Sequence, residues 1–112
     1  MQIYREGSTV FIKPKDEISF STVILVKNKI YDFLNADDKV IELDLSDVEF
    51  MDSAGLGMLI SLVKIMKARG GKLVVAYPQL GVQKLLEMTK MDSIMDIRKT
   101  PEQTTGSWKD FD

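Results

Sequence analysis

Apolar residues recur along the chain in short blocks whose spacing alternates between that of a strand and that of a helix. The β-branched and aromatic run Thr9–Lys13 follows a turn at residues 6–8 and ends at Pro14. It therefore predicts the second arm of a hairpin whose first arm begins at Ile3 and Tyr4.

Between residues 21 and 34 the apolar positions return every three or four residues. Val23, Val26 and Ile30 mark this spacing, and Ser19 or Ser21 is available as the N-cap of a helix. By propensity, residues 23–26 alone are equally typical of a strand. We favour the helix because the helical spacing continues to Ile30.

The remainder of the chain alternates strands with helices. The pattern predicts strands at residues 40–45, 72–77 and 94–97, separated by helices at 54–68 and 82–88. Residues 46–51 are expected to be a connection, and Gly70 and Gly71 to end the second helix. This order predicts an α/β domain in which helical crossovers join the later strands, spanning residues 1–100. Residues 101–112 are expected to be a polar tail or a short helix, with Trp108 and Phe111 able to dock on the domain or on a partner.

Composition restricts the chemistry of this domain. The chain has 112 residues, no cysteine and no histidine, so it lacks disulfides, thiolate nucleophiles, histidine bases and zinc sites built on these residues. Its formal net charge of −2 gives no basic surface for nucleic acid. With no leader sequence and no uninterrupted apolar span, we expect a cytoplasmic protein without membrane insertion.

One segment carries a functional signal. Five acidic residues lie between residues 42 and 52, and Ser53 follows them at the predicted start of the second helix. The simplest interpretation is that Ser53 caps this helix. A phosphate on Ser53 would also meet free backbone amides and the positive end of the helix dipole, beside Asp52. Without histidine and without a neighbouring lysine, Ser53 is not expected to be an enzyme nucleophile.

Gly55 and Gly57 follow this serine. The tripeptide Gly-Leu-Gly lacks the remaining residues of a nucleotide-binding loop, so it is a weak nucleotide signal. We expect the two glycines to expose backbone and let another protein approach the hydroxyl of Ser53. A magnesium site among the neighbouring carboxylates is less expected than simple solvation.

The predicted second helix has more apolar positions than one buried face requires. Leu56, Leu59, Ile60, Val63 and Met66 are assigned to the core. Met58, Leu62 and Ile65 then lie on the flank of that face. They predict either an apolar docking edge next to Ser53 or a surface covered by a loop or by the tail.

Residues 43–57, Leu-Asp-Leu-Ser-Asp-Val-Glu-Phe-Met-Asp-Ser-Ala-Gly-Leu-Gly, resemble the signature of the STAS-domain anti-sigma factor antagonists. The stretch from Gly70 to Ile97 resembles the same family in order and spacing, so the similarity covers residues 2–100. The resemblance implies a mixed sheet of four to five strands with helices packed mainly on one face.

The resemblance also implies a function and a set of partners. In that family the unmodified protein binds an anti-sigma factor that is also a serine kinase, and so releases a sigma factor. Phosphorylation of a serine at the start of the second helix ends this binding, and a PP2C-type phosphatase restores it. Carried onto this chain, the phosphoacceptor is Ser53, and ATP and magnesium belong to the kinase rather than to this protein. The expected partner-binding residues are Ser19, Asp52, Ala54, Gly55, Gly57, Met58, Leu62 and Ile65.

The chain departs from the family pattern before the first helix. Relatives usually carry Gly-Glu-Leu/Ile-Asp there, whereas this chain has Asp16-Glu17-Ile18-Ser19, so the uncharged Ser19 replaces an aspartate. An alternative function is a STAS subunit of a transporter complex or signalling scaffold that works without a phosphorylation cycle. A small enzyme is not expected, given the residues that the chain lacks.

Overall fold

The computed structural model describes residues 1–99, which form one five-stranded sheet, one small two-stranded sheet and three α-helices. The hairpin is present as predicted: Gly7, with a positive φ of 60°, lies in the two-residue turn that joins its strands. The elements are β1 (Gln2–Glu6), β2 (Thr9–Lys13), β3 (Asp16–Ile18), α1 (Val23–Phe33), β4 (Val40–Asp44), β5 (Val48–Met51), α2 (Ser53–Ala68), β6 (Lys72–Ala76), α3 (Leu80–Met88) and β7 (Asp96–Arg98).

The large sheet has the order β1-β2-β4-β6-β7 and is mixed. β1 and β2 are antiparallel, and the remaining neighbours are parallel. Because side chains alternate along a strand, Ile12, Leu43 and Val75 lie side by side on one face and are buried in the core. This arrangement confirms the predicted α/β fold with a mixed sheet.

The three helices cover that apolar face. Ile30 of α1, Leu59 of α2 and Leu86 of α3 belong to the same buried cluster as the core-facing strand residues. The opposite face carries Tyr4, Phe11 and other residues that alternate with the core positions, and no helix within residues 1–99 covers it. We call it the helix-free face.

The small sheet was not predicted. Residues 48–51, expected to be part of a connection, form β5, which pairs in parallel with β3. Val48 and Met51 are buried while the two residues between them are exposed, so this segment does not alternate as a half-buried strand does. The pairing places the end of β3 beside the residues that precede α2.

Other boundaries shift by a few residues. α1 begins at Val23, which excludes the alternative strand at residues 23–26. The last strand starts at Asp96, two residues later than predicted. A 3-10 turn (Met91–Ser93) precedes it, and Met95 between them is buried. Trp108 and Phe111 lie outside the described residues, and the domain boundary at residue 100 stays a prediction.

α2 ends where the glycine pair predicts. Gly70 has a φ of 72°, and the amide of Gly71 donates to the carbonyl oxygen of Met66 at 2.7 Å. A Cβ on Gly71 would lie 1.9 Å from the carbonyl oxygen of Lys39. A side chain at position 71 would therefore push β4 and β6 apart at their beginnings.

A partly buried ion pair joins the hairpin to the loop before β4. Asp38 is 1% exposed, and its carboxylate accepts from Nε of Arg5 at 2.7 Å, from Nη2 of Arg5 at 2.9 Å and from the amide of Asn35 at 2.7 Å. The guanidinium also lies 4.5 Å from the centre of the Phe33 ring. The hydrogen bonds from Arg5 lower the pKa of Asp38 below its ordinary value.

Candidate functional site

Ser53 is the first residue of α2, and its side chain is exposed. Its hydroxyl forms no hydrogen bond within residues 1–99. The prediction that Ser53 caps the helix is therefore wrong, and its hydroxyl is free to contact another molecule.

Asp52 is the N-cap residue. One of its carboxylate oxygens accepts from the amide of Ala54 at 2.9 Å and from that of Gly55 at 3.3 Å. The other accepts from the amide of Phe20 at 3.0 Å. The bond from Phe20, followed by those from Gly55 and Ala54, lowers the pKa of Asp52, so this carboxylate is ionised beside Ser53 at neutral pH.

This capping changes what a phosphate on Ser53 would encounter. The amides of Ala54 and Gly55 are already bonded to Asp52, and the amide of Leu56 donates to the backbone oxygen of Asp52 at 3.1 Å. The prediction that a phosphate meets free first-turn amides is thus wrong for these three. A phosphate on Ser53 would lie next to a negative carboxylate, with these three amides already engaged.

Ser19 is 3% exposed, so the prediction that it contacts a partner is wrong for this structure. Its hydroxyl donates to the carboxylate of Glu17 and accepts from the amide of Ser21 at 3.2 Å. Thr22 takes the N-cap position of α1 and makes no side-chain cap bond, so neither predicted serine caps that helix. Through these hydrogen bonds Ser19 stabilises the turn between β3 and α1.

Gly55 allows close packing of α2 on the small sheet. A Cβ at this position would lie 2.4 Å from the carbonyl oxygen of Ile18 and 2.5 Å from Cγ of Met51. Gly55 is therefore buried and does not present backbone to a partner, contrary to the prediction. Gly57 is exposed with open space around it, and its role in partner binding stays a prediction.

The apolar edge of α2 lies differently from the prediction. Met58 is 2% exposed and Leu62 is fully buried, so they belong to the core and cannot dock a partner in this structure. Ile65 is half-buried and packs against the core. Ile60, expected inside, is exposed. The inward face of α2 consists of Gly55, Met58, Leu59, Leu62, Val63 and Met66, at the helical spacing of three and four residues.

Exposed apolar side chains are found on β5 and on the segment from Phe20 to Leu25. Phe20 follows β3 and is held to Asp52 through its amide, and Phe50 lies on β5. Ile24 and Leu25 stand on the outer side of the first turn of α1. The exposed fractions are 84% for Phe20, 69% for Ile24, 68% for Leu25 and 54% for Phe50. We call these four residues the apolar patch.

The sequence contained a signal for part of this patch. Ile24 and Leu25 do not fit the spacing of Val23, Val26 and Ile30, so they are apolar residues left off the buried face. Phe20 and Phe50 carry no such signal, since their exposure depends on how β3 and β5 pair.

The acidic residues near Ser53 are fewer than predicted. Glu42 lies on the helix-free face, where it accepts from Nη1 of Arg98 at 2.7 Å. Asp44 accepts from the amide of Ser46 at 2.9 Å, and Asp47 pairs with Lys13 at 3.7 Å. Glu49 is exposed on β5 and lines a cleft with Gly81 and Leu85 of α3, so Asp52 is the acidic residue directly beside Ser53.

Residues 1–99 contain neither a metal-binding cluster nor a membrane-spanning helix. No group of three or more acidic residues is arranged to hold a metal ion in this part of the chain. None of its helices is long and apolar enough to cross a membrane.

Comparison with known proteins agrees on one family. A family model described as the STAS domain matches residues 1–104. A Thermotoga maritima protein named as an anti-sigma factor antagonist is 34% identical to this chain over 92 residues, which cover 81% of each chain. The anti-sigma-B factor antagonist of Listeria monocytogenes is 28% identical over 103 residues, covering 92% of this chain and 90% of its own.

A solved structure supports the same relationship. The crystal structure of an assigned anti-sigma factor antagonist from Thermotoga maritima superposes with a TM-score of 0.82 at 30% identity. The match covers 92% of this chain and 89% of the other.

Proposed function

Because the chain belongs to the STAS-domain family, and to the anti-sigma factor antagonists within it, we propose that its unphosphorylated form binds an anti-sigma factor that is also a serine kinase. Binding displaces a sigma factor, and the kinase then phosphorylates Ser53 and ends the interaction. A PP2C-type phosphatase restores the hydroxyl. The cycle takes place in the cytoplasm, and this chain acts by touching regulators rather than by catalysis or DNA binding.

The observation that carries this proposal is the state of Ser53. Its hydroxyl is exposed at the start of α2 and is not engaged by any group within the described residues. A kinase can therefore reach Oγ without unfolding the chain. The γ-phosphoryl group moves from ATP to Oγ, the bond to ADP breaks, and the hydroxyl proton leaves to a base of the kinase.

Electrostatics explains how one phosphate would stop binding. A phosphoserine carries a charge of about −1.5 to −2 at neutral pH. On Ser53 it lies beside the ionised carboxylate of Asp52, whose hydrogen bonds already occupy the nearby amides. Both charges would have to be desolvated where the partner covers the apolar patch, which is costly.

The apolar patch supplies the attractive part of the interface. Phe20 and Ile24 are the most exposed apolar side chains on the β3–α1 segment, and Phe50 extends the surface on β5. Burial of such side chains drives protein association. The matching partner surface is apolar at its centre and basic where it meets Glu49 and Asp52.

The direct test is phosphorylation by the cognate kinase. The purified chain is incubated with the kinase, ATP and magnesium, and the modified residue is located by mass spectrometry, with Ser53→Ala as control. Phosphate on Ser53 in the wild type and none in the variant is the expected result. An active kinase that leaves Ser53 unmodified rules out the switch.

Binding measurements test the electrostatic step. Calorimetry with the anti-sigma factor should give wild-type affinity for Ser53→Ala and a loss of about tenfold or more for Ser53→Asp, since a tenfold change needs about 1.4 kcal/mol. Equal affinities would reject the mechanism. Co-purification with a membrane transporter complex from phosphorylating cells would favour the alternative function.

The apolar patch is tested separately. Phe20→Ser and Ile24→Ser should each weaken binding to the anti-sigma factor. Met88→Ser is a matched control, because Met88 is 80% exposed but lies at the end of α3. Loss of binding in the control alone would place the interface elsewhere.

A further inference from the structure

The helix-free face carries an aromatic pair next to a cleft. Tyr4 on β1 and Phe11 on β2 are register partners, and their rings stack with centroids 5.0 Å apart and an interplanar angle of 14°. Tyr4 is 50% exposed. A cleft of about 240 Å³ beside the pair is lined by Gln2, Tyr4, Phe11, Lys13, Glu42 and Asp44.

We propose that residues 100–112 of this chain bind across the helix-free face, with Trp108 placed on the Tyr4–Phe11 pair. This segment follows β7 and contains two aromatic residues, Trp108 and Phe111. The proposal is independent of the phosphorylation switch at Ser53.

The chain leaves β7 at the correct end of the sheet. Arg98 is register partner of Ala76, and Ala76 of Asp44, which lines the cleft. Three strand spacings separate β7 from β2, a distance of about 14 Å. The nine residue-to-residue steps from Lys99 to Trp108 span up to about 30 Å when extended, so Trp108 can reach Phe11.

The chemistry of the two surfaces is complementary. Trp108 can stack on the exposed ring of Tyr4, which aromatic pairs favour. Asp110 and Asp112 flank Phe111. Lys13 and Lys15 line a second cleft that shares Gln2 and Lys13 with the first, together with Met1 and Asp47. Lys13 has Asp47 as a distant partner, but Lys15 forms no ion pair in the described part of the chain and can meet an aspartate of the segment.

Two other surfaces are less suitable for this segment. A groove on the helix side, lined by Val63, Leu73 and Ile94, lies at the beginning of β7, away from the end where the chain leaves it. The apolar patch lies beside Glu49 and Asp52, which form no ion pair within residues 1–99 and would repel the aspartates of the segment. In the cleft on the helix-free face, by contrast, Glu42 is paired with Arg98, and Lys13 is part of the lining.

Trp108 is the sole tryptophan of the chain, so its fluorescence reports on residues 100–112 directly. In the full-length protein we expect blue-shifted emission and a low acrylamide-quenching constant, compared with a free peptide of residues 100–112. The variants Tyr4→Ala and Tyr4→Ala with Phe11→Ala should shift both values towards those of the peptide. Circular dichroism shows whether both variants remain folded. If the double variant unfolds, Tyr4→Ala alone still tests the proposal, because Tyr4 lies on the edge strand β1.

Each remaining outcome would overturn the proposal. Peptide-like emission in the wild type means that the segment does not bind. Protection of Trp108 that appears as protein concentration rises assigns the face to a second copy, and protection that needs the anti-sigma factor assigns it to a partner. Exposure of Trp108 by Phe20→Ala or Ile94→Ser, with none by the Tyr4 variants, places the segment on one of the other surfaces.

Discussion

Asp52 shows how one side chain arranges the surroundings of Ser53. Its carboxylate takes amides from the first turn of α2 and from Phe20, so it fixes two segments of the backbone at once. Ser53 is left exposed as a consequence. Asp and Ser are both favourable N-cap residues, and their adjacency explains why the sequence alone assigned the cap to the wrong one.

The two glycines after Ser53 offer a matched pair of substitutions. Gly55→Ala should reduce the free energy of unfolding by about 1–3 kcal/mol, because the added Cβ meets the backbone of Ile18. Gly57→Ala should instead stabilise the chain by about 0.5–1 kcal/mol, since nothing lies near its Cβ and alanine favours the helix. Urea unfolding measures both, and equal effects would contradict the packing of α2 on β3.

Asp38 predicts the response to acid. Its pKa is lowered in the folded state by the hydrogen bonds from Arg5, so its contribution to stability is complete above about pH 4 and is lost as the pH falls through the folded-state value. Asp38→Asn should therefore be less stable than the wild type at neutral pH, with a difference that narrows on acidification. Urea unfolding across this range tests it.

The control for this prediction is Asp37→Asn. Asp37 is exposed, and its carboxylate makes no hydrogen bond within residues 1–99. A difference between Asp38→Asn and the wild type that stays constant down to about pH 3 would contradict the assigned role of the ion pair.

At the scale of elements, the sequence predicted those helices and strands whose form depends on residues close together in the chain. The helical repeat and the glycine pair gave the second helix to within one residue, and the hairpin followed from its turn. β3 and β5 were not predicted because strands of three and four residues have too little pattern of their own. They form only by pairing with each other, about 30 positions apart in the chain. The predicted inward face of α2 is wrong because the helix has more apolar residues than one face can hold. Only packing against the sheet determines which of them are buried.

The phase of α2 can be tested within the helix itself. Leu62→Ala should lower the free energy of unfolding by about 2–5 kcal/mol, because it opens a cavity in the core. Ile60→Ala, on the outer side of the same helix, should cost less than about 1 kcal/mol. Chemical unfolding compares the two, and the reverse order would restore the sequence-based assignment of the faces.

At the scale of the whole molecule, the candidate site lies outside the packed core. Ser53 and the apolar patch are exposed on segments that the core holds in place, so under the proposed function a charge on Ser53 would change the surface that a partner contacts and leave the fold intact.

A phosphomimetic variant tests this separation of surface from fold. Ser53→Asp should change the free energy of unfolding by no more than about 0.5 kcal/mol, because the replaced hydroxyl makes no hydrogen bond within residues 1–99. Its amide NMR shifts should move near residues 20 and 52–56 and nowhere in the sheet. Widespread shift changes would show that the added charge alters the fold.

The carboxylate of Asp52 has a consequence for timing under the proposed function. It already accepts from the amides of Ala54 and Gly55 when Ser53 is unmodified, so we expect that adding or removing the phosphate requires no backbone hydrogen bond to break or re-form. The backbone then has the same hydrogen bonds before phosphorylation and after dephosphorylation. It is competent again the moment the ester is hydrolysed, and the duration of the signal is determined by the relative rates of the kinase and the phosphatase.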